Sequence, residues 1–366
     1  MNFILIGCFI LVGSYLLMVI FFIIGWKRLS EFELSPHRMN GKFPVSVVVS
    51  CHNEEEHLPR LLSALLRQTF SDFELVLVDD HSTDGTYKIM QEFSSAFSNM
   101  KFFPSEIKGK KNALQKAVNI ANGELMITTD ADCEPCESWI ETICNFYFQY
   151  RPDLIIAPVK LKSNSKIFPQ LQKFEFASLV ASGAGAAAFG KSILCNGANL
   201  AFPKKIYSIH VNDLHNELLS GDDMFLLESV KKSKGEIRFL KSTLAMVETK
   251  TAENLRDFFR QRKRWSSKFS AYRDKDVITV ALLVFLTSFF LLCLFILSLI
   301  TPRMWKYFLV CFMVKYLIDG YFLYSVRKFF DLRSVWFYAF LLSLIYPFYV
   351  LITAVSGVFS GQKSWK

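Results

Sequence analysis

Charge is missing from three long stretches of this 366-residue chain. Phe3 to Ile24, Val277 to Thr301 and Ser334 to Ser360 contain no Asp, Glu, Lys or Arg. At ~1.5 Å per residue each run is long enough to cross a ~30 Å hydrocarbon core. A fourth run, Tyr307 to Tyr324, carries only Lys315 and Asp319. With 52% hydrophobic residues and 37 Phe, a wholly water-soluble protein is excluded. A cysteine framework is also lacking. Of eight Cys, three (Cys8, Cys293 and Cys311) fall in the apolar runs and five are scattered through the polar segment. Cys133 and Cys136 form one CxxC with no second pair, and the flanking Asp132 and Glu134 point to other chemistry. No zinc-finger spacing or groove-reading motif is present, so nucleic acid is not the expected partner. No internal repeat appears, and most polar residues lie outside the apolar runs, which excludes a transporter. The first run has no basic residues before it and no small-residue cleavage site after it, so it reads as a retained span.

What charge there is sits unevenly. Lys plus Arg number 42 against 33 Asp plus Glu, a net +9. Nine basic and four acidic residues crowd Lys250 to Asp276, next to the second apolar run. Such a cluster suits an anionic membrane surface or an anionic substrate. Lys27 and Arg28 follow the first span directly, and Arg327, Lys328 and Arg333 follow the third. The positive-inside rule then puts the polar segment in the cytoplasm and the N-terminus outside, in a multi-pass protein of, for example, a bacterial inner membrane. Arg303, Lys306, Lys363 and Lys366 run mildly against that assignment. The expected organisation is a transmembrane helix over 1–25, a linker over 26–43, an α/β domain over 44–250, an amphipathic interfacial segment over 251–276 and three spans over 277–360.

Within the polar segment, strand-like and helix-like patterns alternate. Val45 to Ser50, Glu74 to Val78, Met100 to Phe103 and Glu124 to Thr129 read as strands. Leucines at 58, 61, 62, 65 and 66, and apolar residues at 113, 114, 117, 118 and 121, mark amphipathic helices. Leu154 to Leu161 reads as a further strand. This alternation implies an α/β fold with a mostly parallel sheet, whose ligand crevice lies at the carboxyl ends of the strands. Three polar clusters fall there: Cys51-His52-Asn53-Glu54, Asp79 to Asp84, and Asp130-Ala131-Asp132. One such cluster could be turn chemistry; three at one edge favour a site. Phe168 to Phe189, apolar and rich in small residues, is either a buried core helix or an interfacial one.

Two carboxylates two residues apart, Asp130 and Asp132, suit a hard divalent cation, which takes protein carboxylates together with substrate phosphate oxygens. Lys110, Arg262 and Arg264 are complementary cations for an anionic leaving group, although each alone also fits a solvated surface charge. Asp222-Asp223 after Gly221 is either a helix start with a favourable dipole or a pair in which one carboxylate serves as a base.

The ordered set Cys51-His52-Asn53-Glu54, Asp79-Asp80, Asp130-Ala131-Asp132, Gly221-Asp222-Asp223 and Gln261-Arg262-Lys263-Arg264-Trp265 resembles membrane-bound glycosyltransferase family 2. That group holds cellulose, chitin and hyaluronan synthases and, more distantly, ceramide glucosyltransferases. The similarity covers about residues 44 to 270. It implies a GT-A fold and inverting, metal-dependent transfer from a nucleotide sugar, usually a UDP-hexose or UDP-N-acetylhexosamine. Asn53 and Glu54 would line the donor site, Asp79 or Asp80 would contact the base, and Lys110 and Asp130 the diphosphate. Asp130 and Asp132 would hold Mg²⁺ or Mn²⁺. Asp223, beside Asp222, would be the general base. Gln261, Arg262, Arg264 and Trp265 would close over diphosphate and acceptor. Cys195-Asn196-Gly197 would line the acceptor, though the run departs from the F-x-C-G-S or F-x-C-G-T form of cellulose synthases. A glycosidase would instead need two carboxylates flanking the bond and no diphosphate site.

One span before the domain and three after favour a lipid or lipid-linked acceptor. A processive polysaccharide synthase, with export or synthase subunits as partners, is the second reading. A catalytically silent nucleotide-sugar-binding scaffold is the third. Lys315 and Asp319, four residues apart on one helix face, are either a functional pair or an ion pair that satisfies itself.

Overall fold

The computed structural model describes residues 2–34, 43–214 and 221–358. Residues 35–42 of the linker expected over 26–43, Ser220 and the terminal lysines lie outside the described residues. In chain order the elements are α1 (Asn2–Arg28), β1 (Val45–Cys51), α2 (Leu58–Leu66), β2 (Glu74–Asp79), α3 (Thr86–Phe93), β3 (Met100–Pro104), α4 (Lys110–Ile120), β4 (Leu125–Thr128), β5 (Glu134–Pro135) and α5 (Trp139–Tyr150). They continue with β6 (Leu154–Ile156), β7 (Val159–Lys162), α6 (Ile167–Ala187), β8 (Leu200–Pro203), α7 (Lys204–His210), α8 (Asp222–Lys232), β9 (Ile237–Phe239), β10 (Val247–Lys250), α9 (Leu255–Ser266), α10 (Lys275–Ile300), α11 (Trp305–Val326) and α12 (Val335–Val358).

The chain divides into two compact units. The first, an α/β unit, holds residues 30–162 and 195–250. Its seven-stranded sheet runs β3-β2-β1-β4-β8-β6-β9. Strands β3, β2, β1 and β4 are mutually parallel, because each is followed by a crossover helix or loop that returns the chain to the same edge. Antiparallel β8 then sits between β4 and β6. Every residue of β1, β2 and β4 is buried, as expected of strands covered on both faces. The strand expected over Leu154 to Leu161 is instead two strands, β6 and β7, separated at Ala157-Pro158. Proline has no N–H for a ladder, and here the chain changes sheet: β6 joins the large one, while β7 pairs with β10 in a second sheet ordered β5-β10-β7.

The second unit is helical and holds residues 2–29, 163–194 and the chain from Thr251 onward. The segment containing α6 therefore leaves the α/β unit in which the sequence pattern had included it, and joins α1 and α9 to α12. Among the described residues, four helical segments are long and apolar enough to cross a membrane: Phe9–Arg28, Lys275–Ile300, Pro302–Val326 and Val335–Gly357. The small residues of α6 pack on α1. A Cβ on Gly25 would lie 1.9 Å from the Gly185 carbonyl oxygen, and one on Gly185 would lie 2.4 Å from the Phe22 carbonyl oxygen. Backbone meets backbone there, as small residues allow between membrane helices.

Candidate functional site

Parallel pairing puts the carboxyl ends of β1, β2 and β4 at one edge, with Cys51 in register with Asp79 and Val48 with Thr128. The loops leaving that edge hold each other. Asn53 adopts φ 54°, a left-handed conformation that Asn tolerates. Its Oδ1 accepts the Thr83 N–H at 2.8 Å and its own N–H donates to Ser82 Oγ at 2.9 Å. Glu54, buried, donates its N–H to Thr86 Oγ1 at 2.7 Å.

The two adjacent aspartates at the end of β2 have different surroundings. Asp80 is fully buried, and its two carboxylate oxygens accept the Gly109 N–H at 2.9 and 3.0 Å. That contact fixes Gly109 at φ 125°, a conformation that suits glycine, as the residue preceding α4. Asp79 accepts the Ser82 N–H through Oδ2 at 3.3 Å, while its buried Oδ1 has no hydrogen-bond partner among the described residues. Of the pair, Asp79 is the one with an oxygen that has no partner among the described residues.

Because Asp80 holds Gly109, the next residue, Lys110, is placed over the end of β4, where its Nζ donates to Asp130 Oδ1 at 2.6 Å. Burial alone would lower the Lys110 ammonium pKa, but the carboxylates of Asp130, Asp222 and Asp223 outweigh it and hold the value above the usual lysine range. Three carboxylates from two separate parts of the chain thus act on one lysine.

Asp222 and Asp223 open α8 behind Gly221, which has φ 100°. Asp222 is buried and Asp223 half-buried. Asp223 Oδ2 accepts the Gly197 N–H at 3.1 Å, and the Gly197 carbonyl in turn accepts Thr128 Oγ1–H from β4 at 2.8 Å. This ties the base candidate to the strand that leads into the Asp130 loop. Asn196 caps the short turn by accepting the Ala198 N–H at 3.0 Å. Cys195 is buried, with its sulfur 4.0 Å from Met224 Sδ. Two contributors escaped sequence reasoning. Asn199 anchors the turn from below by accepting Trp139 Nε1–H at 2.9 Å and donating to the Pro158 and Ala245 carbonyls. Thr249 on β10 donates to Asp132 Oδ2 at 3.4 Å.

Asp130, Asp132 and Cys133 each offer a ligand atom, all within 4.8 Å of one another. Burial, with Asp132 and Asp130 alongside, pushes the Cys133 thiol well above its ordinary value. The two carboxylates are the hard oxygen donors of this group and fit Mg²⁺ or Mn²⁺.

Gln261, Arg262, Arg264 and Trp265 lie on α9, in the helical unit. Arg262 is buried in an ion pair with Glu175 of α6 and stacks 4.1 Å from the Trp265 ring and 4.8 Å from Phe258. Tyr349 Oη–H also donates to Glu175, at 3.2 Å. The carboxylate of Glu175 was invisible in the motif because it lies 87 positions before Arg262.

A family model described as glycosyl transferase family 2 matches residues 46–206. Among curated proteins, the chain is 27% identical over 177 residues to a poly-beta-1,6-N-acetyl-D-glucosamine synthase of Staphylococcus epidermidis, covering 46% of this chain and 40% of that protein. It is 37% identical over 95 residues to an undecaprenyl-phosphate 4-deoxy-4-formamido-L-arabinose transferase of Proteus mirabilis, covering 25% of this chain and 29% of that one. The chain thus spans well under half the length of either relative. Among solved structures, the mannosyltransferase PcManGT from Pyrobaculum calidifontis, in complex with GDP-Man and Mn²⁺, superposes with TM-score 0.64 over 98% of this chain and 100% of that one. At 14% identity the likeness is one of fold.

Proposed function

We propose that this chain, which carries a glycosyl transferase family 2 match over residues 46–206, moves a sugar from a nucleoside-diphosphate sugar to a lipid or lipid-linked acceptor at a membrane. The observation that supports this reading best is the Lys110–Asp130 contact at the carboxyl edge of the parallel strands, where the charges of Asp222 and Asp223 also act on Lys110. An inverting displacement needs a base on one face of the anomeric carbon and charge stabilisation for the leaving group on the other. Lys110 and Asp130 serve the leaving diphosphate, and Asp223 takes the proton of the acceptor hydroxyl. Asp223 is the more exposed member of its pair, and the Gly197 N–H fixes its orientation. Asp222, buried, keeps negative potential on Lys110.

Asp130 and Asp132 would hold Mg²⁺ or Mn²⁺, which supplies positive charge to the diphosphate when bound. Lys110 then passes from Asp130 to a phosphate oxygen, a point-charge contact of the kind lysine makes well. Asp79, with its unpartnered Oδ1, contacts the nucleotide base; UDP is the expected carrier. Asn53 and Glu54 frame the donor from the β1 loop, and Cys195-Asn196-Gly197 line the acceptor side. The resemblance would have Gln261, Arg264 and Trp265 bind diphosphate and acceptor sugar; within its own unit Arg262, paired with Glu175, holds its segment in shape.

The test is nucleoside-diphosphate release by purified protein in lipid nanodiscs with Mg²⁺ or Mn²⁺. A panel of nucleotide sugars would be screened with and without total membrane lipid. Turnover that requires lipid and yields a product extractable into organic solvent is expected. A growing water-soluble polymer would instead establish a processive synthase. Nucleotide binding without turnover across the panel would leave a silent scaffold.

A further inference from the structure

Inside the helical unit lies a cavity of about 640 Å³, walled by α1, α6, α9, α10, α11 and α12. That volume lies in the range that small-molecule sites occupy. Its walls are mostly apolar, but four charged side chains line it, and they come in two matched pairs. Arg262 pairs with Glu175, and Lys315 with Asp319 at 2.5 Å. Tyr15 Oη–H donates to Asp319 at 2.8 Å, and Tyr349 Oη–H to Glu175 at 3.2 Å. Lys315 is also flanked by the Tyr15 ring at 4.8 Å.

The two pairs leave the lining with no net charge. The cavity therefore suits an apolar body whose polar group is uncharged, since a formal charge would find no unpaired partner in this lining.

We propose that this cavity binds a neutral lipid bearing a free hydroxyl, with its apolar part among the spanning helices and its hydroxyl beside the paired charged side chains of the lining. Given the acceptor reading above, on which this step rests, that lipid is the sugar acceptor, in preference to a lipid phosphate. Transferring a phosphate-bearing lipid into this lining would bury an anion with no unpaired cation to meet it, which is strongly unfavourable.

The experiment uses full-length protein in nanodiscs and three photoactivatable lipids: a diacylglycerol, a sterol and a polyprenyl phosphate. One of the two neutral probes is expected to crosslink to cavity-lining peptides of α1, α6 and α12 at least about tenfold more than the phosphate, a difference of roughly 1.4 kcal/mol. Ala281→Trp and Ala354→Trp, which fill the cavity from α10 and α12, should each remove that labelling. Unchanged elution and melting would show that they fold. Glu175→Gln should raise labelling by the phosphate probe, because it leaves the Arg262 charge uncompensated; simple unfolding would not produce that gain. Preference for the phosphate in the unsubstituted protein, absence of labelling by either neutral lipid, or labelling indifferent to both tryptophans would overturn the proposal. Crosslinking is read separately from sugar transfer. A bound neutral lipid that never receives sugar keeps the cavity assignment and removes the acceptor reading. Transfer to a lipid with labelling indifferent to the tryptophans does the reverse.

Discussion

Asp79 and Asp80 are neighbours in sequence with opposite duties, and burial is what separates them. Asp80 accepts the Gly109 N–H on both oxygens, with His81 Nδ1 also 3.2 Å from Oδ1, and so places Lys110, whereas Asp79 Oδ1 has no partner among the described residues. Asp79→Asn is therefore expected to weaken discrimination between nucleotide bases, measured as donor KM across UDP, GDP and ADP sugars. Asp80→Ala should lower kcat while leaving that discrimination unchanged. Identical loss of base preference in both would mean that Asp80 also reads the base. Asp223→Asn should lower kcat by about 10²- to 10⁴-fold, the usual contribution of a general base, with nucleotide binding retained. Isothermal titration with the nucleoside diphosphate and Mn²⁺ checks the second half of that statement. Both aspartate pairs were legible as acidic residues at a sheet edge. Their division of labour was not, because it depends on Gly109 and Gly197, reached across 29 and 26 positions of chain.

Glu74 opens β2 and stitches three other segments to it: Ser46 of β1, Lys101 of β3 at 2.6 Å, and the Asn122 N–H at 2.7 Å. Burial alone would raise its carboxyl pKa, but Lys101, Ser46 and Asn122 together more than offset that and hold it below the usual carboxylate range. A carboxyl whose folded value is depressed contributes stability above its unfolded value, near 4.5, and loses it as pH falls through the folded value. Glu74→Gln should accordingly destabilise the chain at pH 7, by about 2 kcal/mol for hydrogen bonds to a charged group. The gap in melting temperature should close as pH falls below that value. A gap constant from pH 7 to pH 3 would assign the effect to shape and not charge. A second case is α1 against α6. Gly185→Leu should disrupt the packing of these two helices, since even a Cβ collides with the Phe22 backbone. Lower yield of folded protein in detergent, compared with Ala181→Gly on the same helix, is the measurement. Strand and helix identity followed from periodicity over most of both units. The glycine contact did not, because nothing local to Ala184-Gly185-Ala186 says which helix lies against it. Nor did the division of Leu154 to Leu161, where Pro158 outweighs an otherwise continuous apolar pattern.

The whole molecule combines an α/β unit with a helical unit whose parts come from three regions of sequence, and only two of these were visible as spans. The α6 region, 163–194, joins the spans by packing and not by an uninterrupted apolar run, and composition along the chain leaves it open between a buried core helix and an interfacial one. Topology across the membrane rests on charge. Lys27 and Arg28 close α1, and Arg327, Lys328 and Arg333 follow α11, five cations against Arg303 and Lys306 in the turn between α10 and α11. Basic residues near span ends are retained on the cytoplasmic side, so the larger group sets the orientation. With four spans this charge pattern would place the α/β unit and the α11–α12 turn inside, and the α10–α11 turn outside, as we propose. In a cysteine-free background and intact cells, Arg303→Cys should react with a membrane-impermeant maleimide, while Asp331→Cys should react only after permeabilisation. The opposite pattern would put the α/β unit outside, away from cytoplasmic nucleotide sugars, and the donor proposed here would have to be replaced by one available on that side. Labelling at both positions without permeabilisation would show that α11 does not span, and the cavity would then have to be read as a site in a helical unit resting on the membrane surface.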